Sequence, residues 1–138
     1  MSDLLAKGRE ILAAQPFSRL VGTELIALSL EHAELALPIT EQVMQQHGFV
    51  HGGVLSYLAD NALTFAGGFA LGGGVVTSEM KINYVRPAIG ERLIARAVVV
   101  SAGRSQAVTR CDIFAVKGGS EKLCAAAQGT IVKMEAKG

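Results

Sequence analysis

One carboxylate, Asp60, stands in an otherwise apolar stretch running from Val50 to Ala66, and it is the only formal charge between Glu41 and Glu79. Ser56, Asp60 and Thr64 fall at i, i+4 and i+8, a spacing that stacks side chains on one side of a helix. An unpaired carboxylate in apolar surroundings is costly, so this one needs a partner or a task. His51-Gly52-Gly53 lies just upstream. Glycine lets a backbone approach another group closely. The first N–H groups of a helix lack internal partners and carry partial positive charge, which suits an oxygen that gains negative charge during a reaction. Gly52 and Asp60 are eight residues apart, about 12 Å along a helix axis. They cannot both reach one reacting group within a chain, whereas a second chain bringing its own Asp60 opposite this Gly52 solves the geometry.

The element that must carry these groups is a central helix over 52–68. Leu55, Leu58, Ala59, Ala62, Leu63 and Ala66 follow the i, i+3, i+4, i+7 pattern of an apolar face. The glycine run 67–74 reads as a turn or flexible connection. Upstream, residues 1–15 hold a short amphipathic helix ended by Pro16. Strands over 22–30 and 32–39 meet at a tight turn near Leu30-Glu31, and a polar loop over 40–50 leads into the central helix. Downstream, 75–86, 91–101, 105–116 and 121–134 alternate with period two between Gly-containing turns, as in an antiparallel meander. One helix and five to six antiparallel strands sharing one core make an α+β fold, a curved sheet wrapped around the helix. Small inward residues (Ala95, Ala97, Ala107, Ala125, Ala127) leave room for the helix to lie close.

The 138 residues make one domain, and half of them are hydrophobic. With 13 basic and 12 acidic residues the net charge is +1, which gives no electrostatic case for nucleic acid. Cys111 and Cys124 have no metal-ligand spacing and read as buried free thiols, so neither a metal site nor a disulfide is expected. No signal-peptide core is expected in the first ten residues and no membrane-spanning stretch elsewhere, which points to a soluble cytoplasmic protein. The run 67–74 lacks the Lys-Ser/Thr ending of a nucleotide phosphate loop.

His51-Gly52-Gly53, Asp60, Thr64 and the downstream Asn83-Tyr84-Val85-Arg86-Pro87-Ala88 resemble the hotdog-fold thioesterases, in particular the PaaI-like and 4-hydroxybenzoyl-CoA thioesterase group. The similarity runs from about residue 17 to residue 134. The resemblance implies an acyl-CoA thioesterase acting on a small aromatic or short- to medium-chain acyl group, with coenzyme A as part of the substrate and no separate cofactor. It implies Asp60 as the catalytic carboxylate and the Gly52 N–H as the donor that polarises the thioester carbonyl, with Gln45 assisting there. Thr64 would hold the attacking water, and Thr77 would line the other subunit's site. His51 and Gly53 complete the helix entry. CoA contacts fall on Tyr84, Val85, Arg86, Pro87 and Ala88 and on the turn carrying Ser101, Gly103, Arg104 and Ser105. The implied assembly is a homodimer with shared sites, pairing into a homotetramer. The carboxylate is Asp rather than Glu, as in the PaaI-like branch.

Plainer roles stand beside these. His51 can simply fix the loop, Thr64 can bond a carbonyl one turn back, Gln45 can be an ordinary loop residue, and Arg86 and Arg104 can be solvated, as His32 and His47 are expected to be. The acyl pocket is expected between Val54, Tyr57, Leu58, Phe65 and the 67–74 run. Rival readings are a hydratase or dehydratase on the same fold, which needs a histidine beside the acid, and an acyl-CoA binder without catalysis.

Overall fold

A computed structural model describes residues 3–135. Helix α1 spans Asp3–Ala13 and helix α2 spans Pro16–Val21. Strands β1 (Glu24–Leu28) and β2 (His32–Pro38) follow, then a single 3-10 turn at Glu41–Val43. Helix α3 covers Gly52–Leu71. Strands β3 (Val75–Tyr84), β4 (Arg92–Ala102), β5 (Gln106–Lys117) and β6 (Ser120–Lys133) complete the chain. Pro16 does more than end α1: its fixed φ and missing N–H suit the first turn of a helix, and it opens α2.

All six strands form one antiparallel sheet in the order β1-β2-β4-β5-β6-β3. β4, β5 and β6 are the expected meander. β3 is not part of it, because its partner is β6 at the far edge, with Val75 opposite Lys133 and Tyr84 opposite Ala125. β1 and β3 are therefore the sheet edges.

Helix α3 lies in the concavity of this sheet. All six residues of its apolar face are buried, and Leu58 and Leu63 are completely so. Full burial of a leucine contributes about 1.5–3 kcal/mol. The facing alanines Ala95, Ala97, Ala107, Ala125 and Ala127 are also buried, as small residues must be beneath a closely seated helix. Buried Thr109 on β5 reaches up and donates to the Leu63 carbonyl at 3.2 Å.

The glycine run is mostly helix rather than loop. Gly67 lies within α3 against β6, where an added Cβ would come within 2.8 Å of Ile131. Glycine there permits close approach rather than a turn. The helix ends only at Leu71, where Gly72 adopts φ 76° and donates its N–H to the Gly68 carbonyl at 2.9 Å, a left-handed C-cap. By length and composition α3 could cross a membrane, contrary to the expectation for this chain, but 56% of its apolar window is buried inside the fold, as in a core helix. Both cysteines are buried free thiols. Burial pushes the Cys111 thiol up to about 12, with Asp112 adding to the shift, and burial raises Cys124 to about 11.

Candidate active site

The N-terminus of α3 is shaped by its own cap. His51 is extended (φ −61°, ψ 134°), and its Nδ1 accepts the Gly53 N–H at 2.8 Å. The imidazole therefore fixes the helix entry, and its ring proton sits on Nε2. The Val54 and Leu55 N–H groups turn back to the His51 carbonyl. The Gly52 N–H has no partner among the described residues, so it is the donor this helix end leaves available. The Gly52 carbonyl accepts the Tyr84 hydroxyl at 3.2 Å, which ties the end of β3 to the start of α3.

The loop before the cap is held at Val43, whose carbonyl accepts the His51 N–H at 2.9 Å. Gln45 sits in a tight turn, where its backbone N–H bonds to the Phe49 carbonyl at 2.9 Å. Its side-chain oxygen accepts the His47 N–H. The side-chain amide nitrogen is the part of Gln45 left over for another group.

Two turns further along α3, three side chains converge. Asp60 is half-buried, and its Oδ1 accepts the Thr77 hydroxyl at 2.6 Å. The Thr64 hydroxyl donates to the Asp60 backbone carbonyl at 2.7 Å, the plainer of the two roles considered for it. Thr64 Oγ1 lies 3.1 Å from Thr77 Oγ1. With both hydroxyl protons already committed, Thr64 can hold a water only by accepting from it. Thr77 thus contacts the carboxylate of its own chain, and the two travel together into any assembly.

The sequence-derived residues fall into two groups. His51, Gly52 and Tyr84 meet at one level of the fold, and Asp60, Thr64 and Thr77 meet at another, about 12 Å along the helix. Gly53 spends its N–H on the cap. The two segments expected to hold CoA are also apart. Lys133 donates to the Ser105 carbonyl, so the turn carrying Ser101, Gly103, Arg104 and Ser105 lies at the Val75 end of the sheet. Tyr84–Ala88 lies at the other end, roughly 25 Å away along β3. Val85 and Arg86 are exposed, while Ala88 is buried and its carbonyl accepts the Val50 N–H at 3.1 Å.

Sequence reasoning missed two features here. Arg86 and Pro87 share a cleft of about 600 Å³ with Lys117, Ser120 and Lys122 from the β5–β6 turn. The chain separation hid those lysines, because only the β3–β6 pairing brings that turn beside Arg86. The second is the part that α1 plays in the expected pocket: a cavity of about 710 Å³ lies between α1 and α3. Of the residues expected to frame a pocket, Phe65 lines it together with Gly68 and Gly72–Gly74. Leu58 does not, being buried under the sheet. Tyr57 does not either: its hydroxyl lies 2.6 Å from Ser18 Oγ and 2.8 Å from Thr23 Oγ1, and Asn61 Nδ2 joins this buried network through Gln15 Oε1 at 3.0 Å. Val54 packs against the core instead. His32 is not merely solvated, since it lies 2.7 Å from Glu34, which also pairs with Arg96 at 3.0 Å.

Residues 47–122 match the family described as the thioesterase superfamily. The chain is 30% identical to the acyl-coenzyme A thioesterase PaaI of Escherichia coli, over 70% of this chain and 69% of that protein. Among solved structures, a thioesterase family protein from Silicibacter pomeroyi superposes with a TM-score of 0.88 at 34% identity, over 94% of this chain and 96% of that one. A thioesterase from Haemophilus influenzae does so with a TM-score of 0.83 at 27% identity, over 96% and 91%.

Proposed function

The chain belongs to the thioesterase superfamily, as a PaaI-like hotdog thioester hydrolase, and from that premise we propose that it hydrolyses acyl-CoA esters at sites shared between two copies of itself. The observation that carries the proposal is the separation of two half-sites on one helix: an unpartnered Gly52 N–H at its start and a Thr77-bonded Asp60 two turns on.

In this reading the thioester carbonyl oxygen takes the Gly52 N–H of one chain, with the amide of Gln45 beside it. One such donor is worth about 3–4 kcal/mol in rate. Asp60 of the facing chain removes a proton from water as the water adds to the carbonyl carbon. The tetrahedral intermediate then collapses, expels the CoA thiolate, and the proton on Asp60 passes to sulfur. In the alternative course Asp60 itself attacks and forms an anhydride. Single turnover in heavy-oxygen water separates the two, because only the anhydride route leaves label in the Asp60 carboxylate. Thiolate leaves readily, so no strong general acid is required. Arg86, Lys117 and Lys122 supply positive charge for the CoA phosphates at one end. Arg104, on the turn with Ser101, Gly103 and Ser105, supplies it from the other subunit.

β3 supports the assembly. It is an edge strand of ten residues, and a long unpaired edge is a template for a second chain. A two-fold axis that sets Gly52 against the partner's Asp60 would pass near the middle of β3, about Met80 and Lys81. Pairing of such dimers into a homotetramer and residence in the cytoplasm belong to the same proposal. The histidine that a hydratase would need is spent by His51 on its cap.

A panel of aromatic and straight-chain acyl-CoA esters, read by release of free thiol, tests the function. The expected result is ester-dependent release that falls at least about a hundredfold in Asp60→Asn. Release unchanged in that variant would remove Asp60 from the reaction.

A further inference from the structure

We propose that the cavity between α1 and α3 receives the acyl chain, and that its shape selects an apolar chain of medium length. The inference rests on the thioesterase reading and adds the substrate class to it.

The cavity adjoins the catalytic carboxylate through Thr64, which forms part of its wall while bonding the Asp60 carbonyl and touching Thr77. From that point the two helices run antiparallel. Gln15 bonds Asn61 at 3.0 Å, Gly8 lies beside Phe65, and Leu4 and Gly72 line the same space. The groove therefore extends from the level of Asp60 to the end of α3.

Its chemistry is graded along that length. Gln15 and Asn61 gather at the Asp60 end, where Gln15 Oε1 is already satisfied by Ser18 and Asn61. Beyond Thr64 the walls are Phe65 and Phe69 on α3, with ring centroids 6.4 Å apart, and Leu4 and Ile11 on α1. Among the described residues, Lys7 is the single charged side chain lining the cavity, and no carboxylate does. Apolar side chains at the rim remain open to solvent: Ile11 is 47% exposed, Met134 57% and Leu30 60%. A hydrocarbon occupant would cover them.

Length selects among hydrocarbon occupants. Thr64 and Gly72 are eight residues apart, about 12 Å along the helix. An extended hydrocarbon advances about 1.3 Å per carbon, given C–C bonds of about 1.5 Å. The groove thus accepts roughly nine carbons beyond the thioester, an acyl group of about ten carbons. A single aromatic ring would occupy about half of it and leave the Leu4 end unfilled, forfeiting those contacts.

The test is the dependence of kcat/KM on chain length, from acetyl- to hexadecanoyl-CoA with benzoyl-CoA alongside, in the full chain and two variants. The expected maximum lies near decanoyl-CoA. Ile11→Trp, at the Thr64 end of the groove, is expected to lower turnover of every ester from butyryl- to hexadecanoyl-CoA at least about tenfold and so to move the maximum to acetyl-CoA. Leu4→Trp, at the far end, is expected to shorten the groove and move the maximum below about ten carbons. Melting temperature and size-exclusion elution should match the parent for both. Asp60-dependent hydrolysis with its maximum at acetyl- or benzoyl-CoA would overturn the proposal and leave the thioesterase reading intact. So would profiles that both tryptophans leave unmoved. A change in oligomeric state with the profile retained would assign the groove to a second copy and overturn it too. Hydrolysis of none of these esters by the parent would overturn both readings together.

Discussion

Mixing two inactive variants should restore activity. One parent is Asp60→Asn, which keeps size and hydrogen bonding but removes the charge. The other is Gly52→Pro, which deletes the N–H proposed to bind the carbonyl oxygen. Proline is suited to this position: Gly52 is the first helical residue, where the N–H has no intrahelical partner. His51 before it already has φ −61° and ψ 134°, the backbone that a residue preceding proline adopts. A Cβ at Gly52 would meet the Tyr84 ring at 3.5 Å, an ordinary contact. Deleting one oxyanion donor costs about 10²–10³ in kcat, and removing a general base costs about 10²–10⁴. Each homodimer should therefore run at or below about a hundredth of the parent rate. In a mixed dimer one site joins the intact Gly52 to the intact Asp60, and the other joins both lesions. Random reassortment of equal amounts makes half the dimers mixed, each with one good site of two. Steady-state thiol release should thus recover to about a quarter of the parent rate. Mixed dimers verified by mass spectrometry but still at or below about a hundredth would refute the shared site. Each chain would then complete its own, against the 12 Å between Gly52 and Asp60.

The remaining predictions concern single residues. Thr77→Val should lower kcat about tenfold or more with KM little changed, since a hydrogen bond to a charged group is worth about 1.5–3 kcal/mol, and Thr77→Ser should restore it. Arg86→Ala and Lys122→Ala should raise KM for CoA esters with kcat retained, and should have no effect on pantetheine thioesters, which lack the nucleotide. Gly67→Ala should destabilise the fold by about 1–3 kcal/mol in urea titration, because the new methyl would sit 2.8 Å from Ile131; a change under about 0.5 kcal/mol would show that the helix can lift away freely. Cys111 should impose alkaline instability. Its folded thiol titrates near 12 and its unfolded thiol near the ordinary value of 9.0, so the unfolded state loses the proton first. Stability should then fall between about pH 9 and pH 12 by up to about 1.4 kcal/mol per pH unit, and Cys111→Ala should flatten that slope.

Much of the fold was legible because its periodicities are unmixed. Leu55, Leu58, Ala59, Ala62, Leu63 and Ala66 form one helical stripe, and the alternation along β4, β5 and β6 marks their inward alanines. The end of α3 was not legible, because Gly67 serves close packing against Ile131, and glycine carries no local sign of whether it turns a chain or admits a neighbour. The place of β3 was hidden for a different reason: strand order depends on long-range pairing, and the alternation of 75–86 is the same beside β4 as beside β6. Within the site, the spacing of Ser56, Asp60 and Thr64 brought out the carboxylate, whereas the Thr77 contact depends on how β3 lies along α3. The α3 side of the groove, Phe65 and the glycine run, was legible, but its α1 wall was missed because the face of α1 bearing Leu4 and Ile11 reads equally well as ordinary packing against the body of the fold.

The sheet order also bears on how this protein is made. Helix α3 is finished at Leu71, but most of the strands that enclose it, β4, β5 and β6, emerge later, and β3 has no neighbour until β6 arrives. The 62 residues from Leu71 to Lys133 take about 3–12 s to synthesise at 5–20 residues per second. Throughout that interval the ribosome carries a twenty-residue apolar segment whose main covering strands are incomplete. Truncated products ending before β6 should therefore be lost to aggregation or proteolysis.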